Sequence, residues 1–340
     1  MPKTLKNVLK FICFFGIGLL LIWLFTKDIT AAQWQQINAA FRRGNYWLLI
    51  PTMSIGVASH WFRAVRWKLL MKPMGYQPST LNTFFAVMVG YLANLAVPRL
   101  GEVTRCGILA QYEKVPADKL VGTMIAERAV DLICLILLMV ITVVIQLDVL
   151  GAYVHDSILL PLSAKIAHAN GMQLLIGIGG LAVVLLVLLW LLKKFAASKV
   201  AITIKSLARG IMEGILSIGK MERKGWFLLH TVLIWCCYLS QVYIGFFCLN
   251  ETNHLGVSAA LAVLMIGSVG MIVTPGGIGA YQPLVQKTLE LYGIPYTIGF
   301  AFGWIIWVAQ TALVILLGFV SLVALPVFNK KRIAEEGIKN

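Results

Sequence analysis

The chain has 340 residues, of which 59% are hydrophobic and only 13% charged, with a formal net charge of +15. A soluble domain carries about 25% charged residues, so composition excludes a soluble enzyme and gives an integral membrane protein. Its basic excess is no nucleic-acid footprint, because the lysines and arginines flank apolar runs, where the positive-inside rule places them.

In chain order, "FICFFGIGLLLIWLF" follows Lys3, Lys6 and Lys10. With no small-residue cleavage site after it, it is expected to be a retained first helix rather than a cleaved signal. Full spans are predicted at about 10–26, 45–67, 124–147, 172–192, 226–248 and 298–325. Apolar segments at 82–98 and 256–274 end at Pro98 and Pro275. Each is followed by a glycine-containing turn, at Gly101 or at Gly276, Gly277 and Gly279, and then by a short helix, about 101–113 or 278–291. Proline breaks a helix and glycine permits the reversal.

Charge placement decides whether these broken segments cross or return. If both are re-entrant hairpins, the chain crosses six times with both termini cytoplasmic. Most of the 29 basic residues then lie inside, including the cluster from Lys193 to Lys224. A crossing first hairpin would put that cluster outside, against the positive-inside rule. The expected fold is therefore an all-α polytopic membrane protein, with about six full transmembrane helices plus two opposed re-entrant hairpins in an inverted repeat.

The repeat rests on a shared order of parts. Each half, about 10–147 and 172–325 of one membrane domain spanning 1–340, has a span, an amphipathic segment, a span, a broken hairpin and a final span. The amphipathic segments are "AAQWQQINAAFRR", with Trp34, Ile37 and Phe41 on one face, and "SKVAITIKSLARGIMEGILSIGK". Both have the spacing of interfacial helices. "MVGYLANLAVP" aligns without a gap on "MIGSVGMIVTP", matching Gly90 with Gly267 and Pro98 with Pro275. Inverted repeats with broken helices at their interface are the architecture of alternating-access transporters.

Ionisable residues inside a membrane are costly and mark function. They gather in three places: Arg99, Glu102 and Arg105; Glu127, Arg128 and Asp131; and Arg63 and Arg66. Glu102, Glu127, Arg128 and Asp131 are expected to form structural ion pairs. The five arginines outnumber the three carboxylates, and the surplus points to a phosphate-bearing ligand, since arginine's planar fork binds phosphate bidentately. The expected substrate-binding residues are Arg99, Arg105, Arg63, Arg66, Asn94, Gly276, Gly277 and Gly279, the glycines through backbone N–H groups. Pro98, Gly101 and Pro275 are expected at the hairpin turns. The five histidines and six cysteines show no metal-ligand spacing; no metal, cofactor or catalytic residue is expected.

The motifs "NLAVPRLGEVTR", "ERAVDL", "FRAVRW" and "PGGIGAYQ" resemble the flippase-like membrane domain of lysylphosphatidylglycerol synthases, which also occurs as stand-alone proteins. The resemblance covers nearly the whole chain. It implies translocation of lipids or lipid-linked precursors between leaflets, with Asn94, Pro98, Arg99, Gly101, Glu102, Arg105, Glu127, Arg128, Asp131, Pro275, Gly276, Gly277 and Gly279 matching its motifs. The family's last motif often ends in a glutamate where this chain has Gln282, so a proton or cation role there is not carried over. No soluble aminoacyl-transferring domain is expected after Phe328, and hence no lysyl-lipid synthesis.

The expected activity is flipping of an anionic lipid or lipid-linked precursor by alternating access, in a bacterial-type inner membrane. Membrane lipids are the expected partners, nucleic acid is not, and nothing opposes an oligomer. Two alternatives stand beside this reading: a membrane-embedded transferase acting on a polyprenyl-phosphate-linked sugar, and a carrier for a small soluble anion.

Overall fold

The structure, a computed structural model, describes residue 16 and residues 19–97, 100–147, 221 and 223–337. Every described element is helical. A helical stretch over residues 19–26 (α1) precedes α2 (Ala31–Arg43), α3 (Leu49–Met71), α4 (Thr80–Ala96), α5 (Leu100–Glu113) and α6 (Ala117–Ile145). After the undescribed stretch come α7 (Lys224–Phe246), α8 (Val257–Val273), α9 (Tyr281–Glu290) and α10 (Tyr296–Gly337). The expected span at 172–192, the second amphipathic segment, and Pro98 and Arg99 lie outside the described residues.

Among the described residues, three helices are long and apolar enough to cross a bilayer: Ala117–Ile145, Lys224–Phe246 and Tyr296–Lys330. Two shorter apolar helices cover Thr80–Leu95 and Val257–Val273. Two boundaries differ most from the sequence reading. α6 begins at Ala117 rather than near 124, because Pro116 sits at its N-cap and Lys114, in a left-handed conformation, separates it from α5. α10 runs through Pro326 instead of ending before it. Proline costs that helix one internal hydrogen bond, and a tertiary contact holds the helix beyond it: Asn329 exchanges amide hydrogen bonds with Asn82 of α4 at 2.8 and 2.9 Å.

α2 begins with a capping box, in which the Thr30 side chain accepts from the Gln33 amide and Gln33 returns the bond, satisfying two orphan donors of the first turn. The face read from the sequence turns inward at Ile37 and leaves Trp34 39% exposed. Ile37 is fully buried, and Trp34 meets Phe300 of α10 edge-on at 6.5 Å.

The most extensive pairing is α3 with α7. It is antiparallel from end to end: the Asn45 amide donates to the Cys248 carbonyl at 2.8 Å, a β-carbon on Gly56 would lie 3.4 Å from Gln241 Oε1, and Arg66 bonds Thr231. α4 with α5 and α8 with α9 form two helical hairpins. In the first turn the Gly101 amide donates to Asn94 Oδ1 at 2.7 Å, and Gly101 abuts the Gly90 carbonyl. In the second, Gly276, Gly277 and Gly279 take φ of 62°, 75° and 76°, which side chains rarely adopt. The aligned glycines occupy equivalent places. Gly90 lets α5 close on α4, and at Gly267 a β-carbon would stand 2.8 Å from the Tyr281 ring of α9.

α10 fixes how the hairpins stand relative to each other. Near its start, β-carbons on Gly299 and Gly303 would lie 3.3 Å from Gln286 Cα and 3.1 Å from the Gln282 carbonyl. Further on, Trp307 Nε1 donates to the Gly276 carbonyl at 2.6 Å. Gly318 then meets Leu92, where a β-carbon would lie 2.7 Å away, and Asn329 meets Asn82. The second hairpin therefore lies along the first part of α10, tip last, and α4 lies along the remainder, tip first. The tips meet in between, since a β-carbon on Gly276 would lie 3.0 Å from Leu95 Cδ2. At 1.5 Å per residue, the stretch from Gly299 to Asn329 is about 45 Å long, matching the roughly 40–45 Å of a bilayer with its headgroups.

Candidate functional site

Helical spacing assembles the site. Arg63 and Arg66 share one face of α3, Glu127 and Asp131 one face of α6, and Thr231 and Tyr238 one face of α7, because residues three, four and seven apart lie in one stripe. Arg105 comes from α5, the returning arm of the first hairpin. The four helices bring these groups into one buried cluster.

Arg63 Nη1 lies 2.8 Å from Glu127 Oε1 and 2.7 Å from Asp131 Oδ2, while its Nη2 donates to the Tyr238 hydroxyl at 3.2 Å. Arg66 Nη2 lies 3.2 Å from Glu127 Oε1 and 2.7 Å from Asp131 Oδ1, and its Nη1 donates to Thr231 Oγ1 at 3.2 Å. Arg105 Nη1 reaches the other oxygen of Glu127 at 3.0 Å. Glu127 and Arg66 are fully buried, and Arg105 and Arg63 nearly so. Both carboxylates are thus shared, and each divides its charge among several guanidinium groups.

Aromatic faces complete the enclosure. The Arg105 guanidinium lies over the Trp67 ring at 4.6 Å and that of Arg66 over Phe227 at 5.6 Å. Trp67 is fixed by donating its Nε1–H to Thr123 Oγ1 at 3.0 Å. Such stacking favours a desolvated cation. A second ion pair, Arg128 Nη2 to Glu102 Oε1 at 3.2 Å, stands to one side with its side chains 41% and 23% exposed.

Charge does not balance. Three guanidinium groups face two carboxylates in the enclosed cluster, and the Glu102–Arg128 pair adds nothing net. A buried charge is tolerated when it is paired and hydrogen-bonded, yet Nε of all three arginines and Nη2 of Arg105 have no hydrogen-bond partner. Arg63 and Arg66 are each held by both carboxylates and one hydroxyl. Arg105 has a single ion pair and two free donors, so its hydrogen-bonding capacity is the least used.

Of the other residues expected to bind substrate, Asn94, Gly276, Gly277 and Gly279 lie at the hairpin turns. Asn94 closes the first turn through Gly101. In the second, the Gly277 amide donates to the Thr274 carbonyl at 3.0 Å and the Gly279 amide to Gln282 Oε1 at 3.1 Å, so both N–H groups are used within the turn. The Gln282 side chain caps the start of α9 as a glutamate's could, and its Nε2 is buried without a partner. Tyr238, Thr231 and Trp67 are additions that the sequence reading did not name. The pair Thr231 and Tyr238, seven apart on one stripe of an apolar helix, was the available signal. Among the described residues no His, Cys, Asp and Glu side chains gather as a metal site would require.

The model of the family described as lysylphosphatidylglycerol synthase TM region matches residues 9–318. The UPF0104 membrane protein MJ1595 of Methanocaldococcus jannaschii is 31% identical over 71 residues, covering 20% of this chain and 21% of that protein. The chain thus matches about a fifth of the length of that relative. No solved structure matches. A profile match over nearly the whole chain, on a membrane-embedded multi-pass helical protein, places this chain in the lysylphosphatidylglycerol synthase transmembrane-region family.

Proposed function

We propose that the protein moves an anionic lipid or lipid-linked precursor between membrane leaflets by alternating access. The observation that carries this reading is the surplus positive charge of the enclosed cluster, held at Arg105 on a hairpin arm with donors to spare. A lipid phosphate supplies the missing negative charge and acceptors in the geometry that a guanidinium prefers. Arg99 is proposed as a second contact to the same headgroup. The framework around them, Arg63, Arg66, Glu127 and Asp131, holds the cluster together.

The hairpins are proposed to be re-entrant and opposed, the halves an inverted repeat. In support, they lie along successive parts of α10 with their tips in contact midway. The end bearing Lys72, Lys119 and Lys224 is assigned to the cytoplasm by the positive-inside rule, with the inner membrane as the location. The first hairpin then enters from the cytoplasmic side and the second from outside. Arg105–Glu127 and Arg128–Glu102 tie the first hairpin to α6, so releasing them opens a path from that face. Non-helical turns at this depth survive only where protein or a watery cavity satisfies them, as Asn94 and Gln282 do here.

The test is reconstitution into liposomes carrying headgroup-labelled phosphatidylglycerol, phosphatidylcholine or polyprenyl phosphate, with leaflet accessibility followed over time. Faster exchange of an anionic probe, lost in Arg105→Gln, supports the proposal. Exchange no faster than in protein-free liposomes for every probe removes it.

A further inference from the structure

A second feature lies at the other end of the molecule. α1, α2, α3 and the first part of α10 enclose a cleft of about 720 Å³, lined by Ile22, Trp34, Met53, Trp304 and Ala312 among others. That is within the roughly 300–1,000 Å³ of ligand pockets. Met53 is ten residues from Arg63 on α3, about 15 Å along the helix, so the cleft and the charged cluster are separate.

The polar chemistry of the cleft narrows its occupant. Two hydroxyls line it, Thr26 and Tyr46, and both are turned onto backbone carbonyls, of Ile22 at 2.7 Å and Phe41 at 2.5 Å. What remains is apolar wall and the indoles of Trp34 and Trp304, side chains that favour the boundary between hydrocarbon and water. An occupant needing hydrogen bonds finds few; a hydrocarbon chain needs none. Charge appears only beyond the wall. Phe41 lines the cleft, and Arg42 and Arg43 follow it, exposed in the last turn of α2. Lys27, next to Thr26, is paired with Asp28 at 4.0 Å and leaves no further net charge. Among the described residues, the rim therefore carries two uncompensated cations beside an apolar slot.

We propose that this cleft seats one acyl chain of an anionic phospholipid, with the phosphate at Arg42 and Arg43. The amphipathic α2 then serves as the lid of a lipid-tail seat, and the seat exists whether or not the charged cluster moves lipid. An uncharged lipid fills the slot but leaves the rim unanswered, and so does an apolar side chain of a second copy.

The full chain in phosphatidylcholine nanodiscs, with a small fraction of phosphatidylglycerol bearing a mid-chain diazirine, tests this by photolabelling and peptide mapping. Adducts are expected at Met53 and Ala312. The filling variant Ala312→Trp should remove them while leaving background labelling of lipid-facing residues such as Val140 and Val323 unchanged. Met53→Trp serves if Ala312→Trp does not fold. With roughly 1 kcal/mol of attraction per surface cation, Arg42→Ala with Arg43→Ala should lower the preference for the phosphatidylglycerol probe over its phosphatidylcholine counterpart by about thirtyfold. Labelling spread over the lipid-facing helices in proportion to exposure, or unmoved by the filling variants, overturns the seat. Equal labelling by both probes overturns the anionic headgroup, and protein–protein adducts at Met53 or Ala312 in place of lipid ones overturn the lipid occupant.

Discussion

Arg105 of α5 and Glu127 of α6 face each other at 3.0 Å with side chains 4% and 0% exposed, tying the returning arm of the first hairpin to a membrane-spanning helix. Glu127 also answers Arg63 and Arg66. Removing its charge therefore takes a partner from three cations on two helices at once, and leaves Arg105 with none.

Glu127→Gln is expected to destabilise the protein by about 3–5 kcal/mol, the cost of breaking a buried pair by deleting one partner. Glu102→Gln acts on a partly exposed pair and should cost no more than about 1 kcal/mol. Thermal unfolding in detergent, followed by tryptophan fluorescence, measures both. Equal midpoints for the two variants would contradict the division into an enclosed cluster and a peripheral pair.

The reciprocal amide pair of Asn82 and Asn329 should couple strongly. Each single replacement by leucine removes the reciprocal bonds and leaves the other amide only its bond to Glu113 or to the Leu325 carbonyl, whereas the double replacement leaves neither amide. A double-mutant cycle is expected to return an interaction of about 0.5–3 kcal/mol. An interaction near zero would mean that this contact does not hold α10 beyond Pro326.

Glycine positions should separate sharply. Gly101→Val drives a side chain into the Gly90 carbonyl, and Gly277→Val combines a φ of 75° with a β-carbon 2.5 Å from Met271 Sδ and 3.4 Å from Trp307 Nε1. Both should lose transport in reconstituted liposomes while still inserting, because insertion depends on the flanking apolar runs. Gly107, exposed and with open space around its β-position, should accept alanine and gain up to about 1 kcal/mol from helix propensity.

Topology is tested by single cysteines on a cysteine-free background. Lys119→Cys and a cysteine at position 205 should be labelled only after permeabilisation, and His254→Cys in intact cells. External labelling at 119 or 205 would sink the cytoplasmic assignment and the inverted repeat with it.

Much of this arrangement is legible in the sequence because membranes penalise charge and broken helices. Arg63, Arg66, Glu127 and Asp131 are conspicuous against their apolar neighbours, and Pro-Gly turns after Ala96 and Thr274 mark the hairpins. Spacing identifies a helix face but not what that face meets. That Arg105 pairs with Glu127 while Glu102 takes Arg128 is decided by how α5 rotates against α6. Asn82 and Asn329, 247 positions apart, carry no pattern linking them. The run of α10 through Pro326 is likewise tertiary, since the local rule predicts a stop there.

The succession of contacts along α10 makes that helix sensitive to length in a way it is not sensitive to composition. Val308, Ile315 and Leu316 are half-exposed between the two sets of contacts, so exchanging one aliphatic side chain for another there should be close to silent. Inserting a single residue between Trp307 and Gly318 instead turns everything beyond it by about 100° and advances it by about 1.5 Å. Gly318 then leaves Leu92 and Asn329 leaves Asn82, although no contacting residue has changed. The half-exposed positions of α10 therefore tolerate exchange, while the stretch that carries them tolerates neither insertion nor deletion.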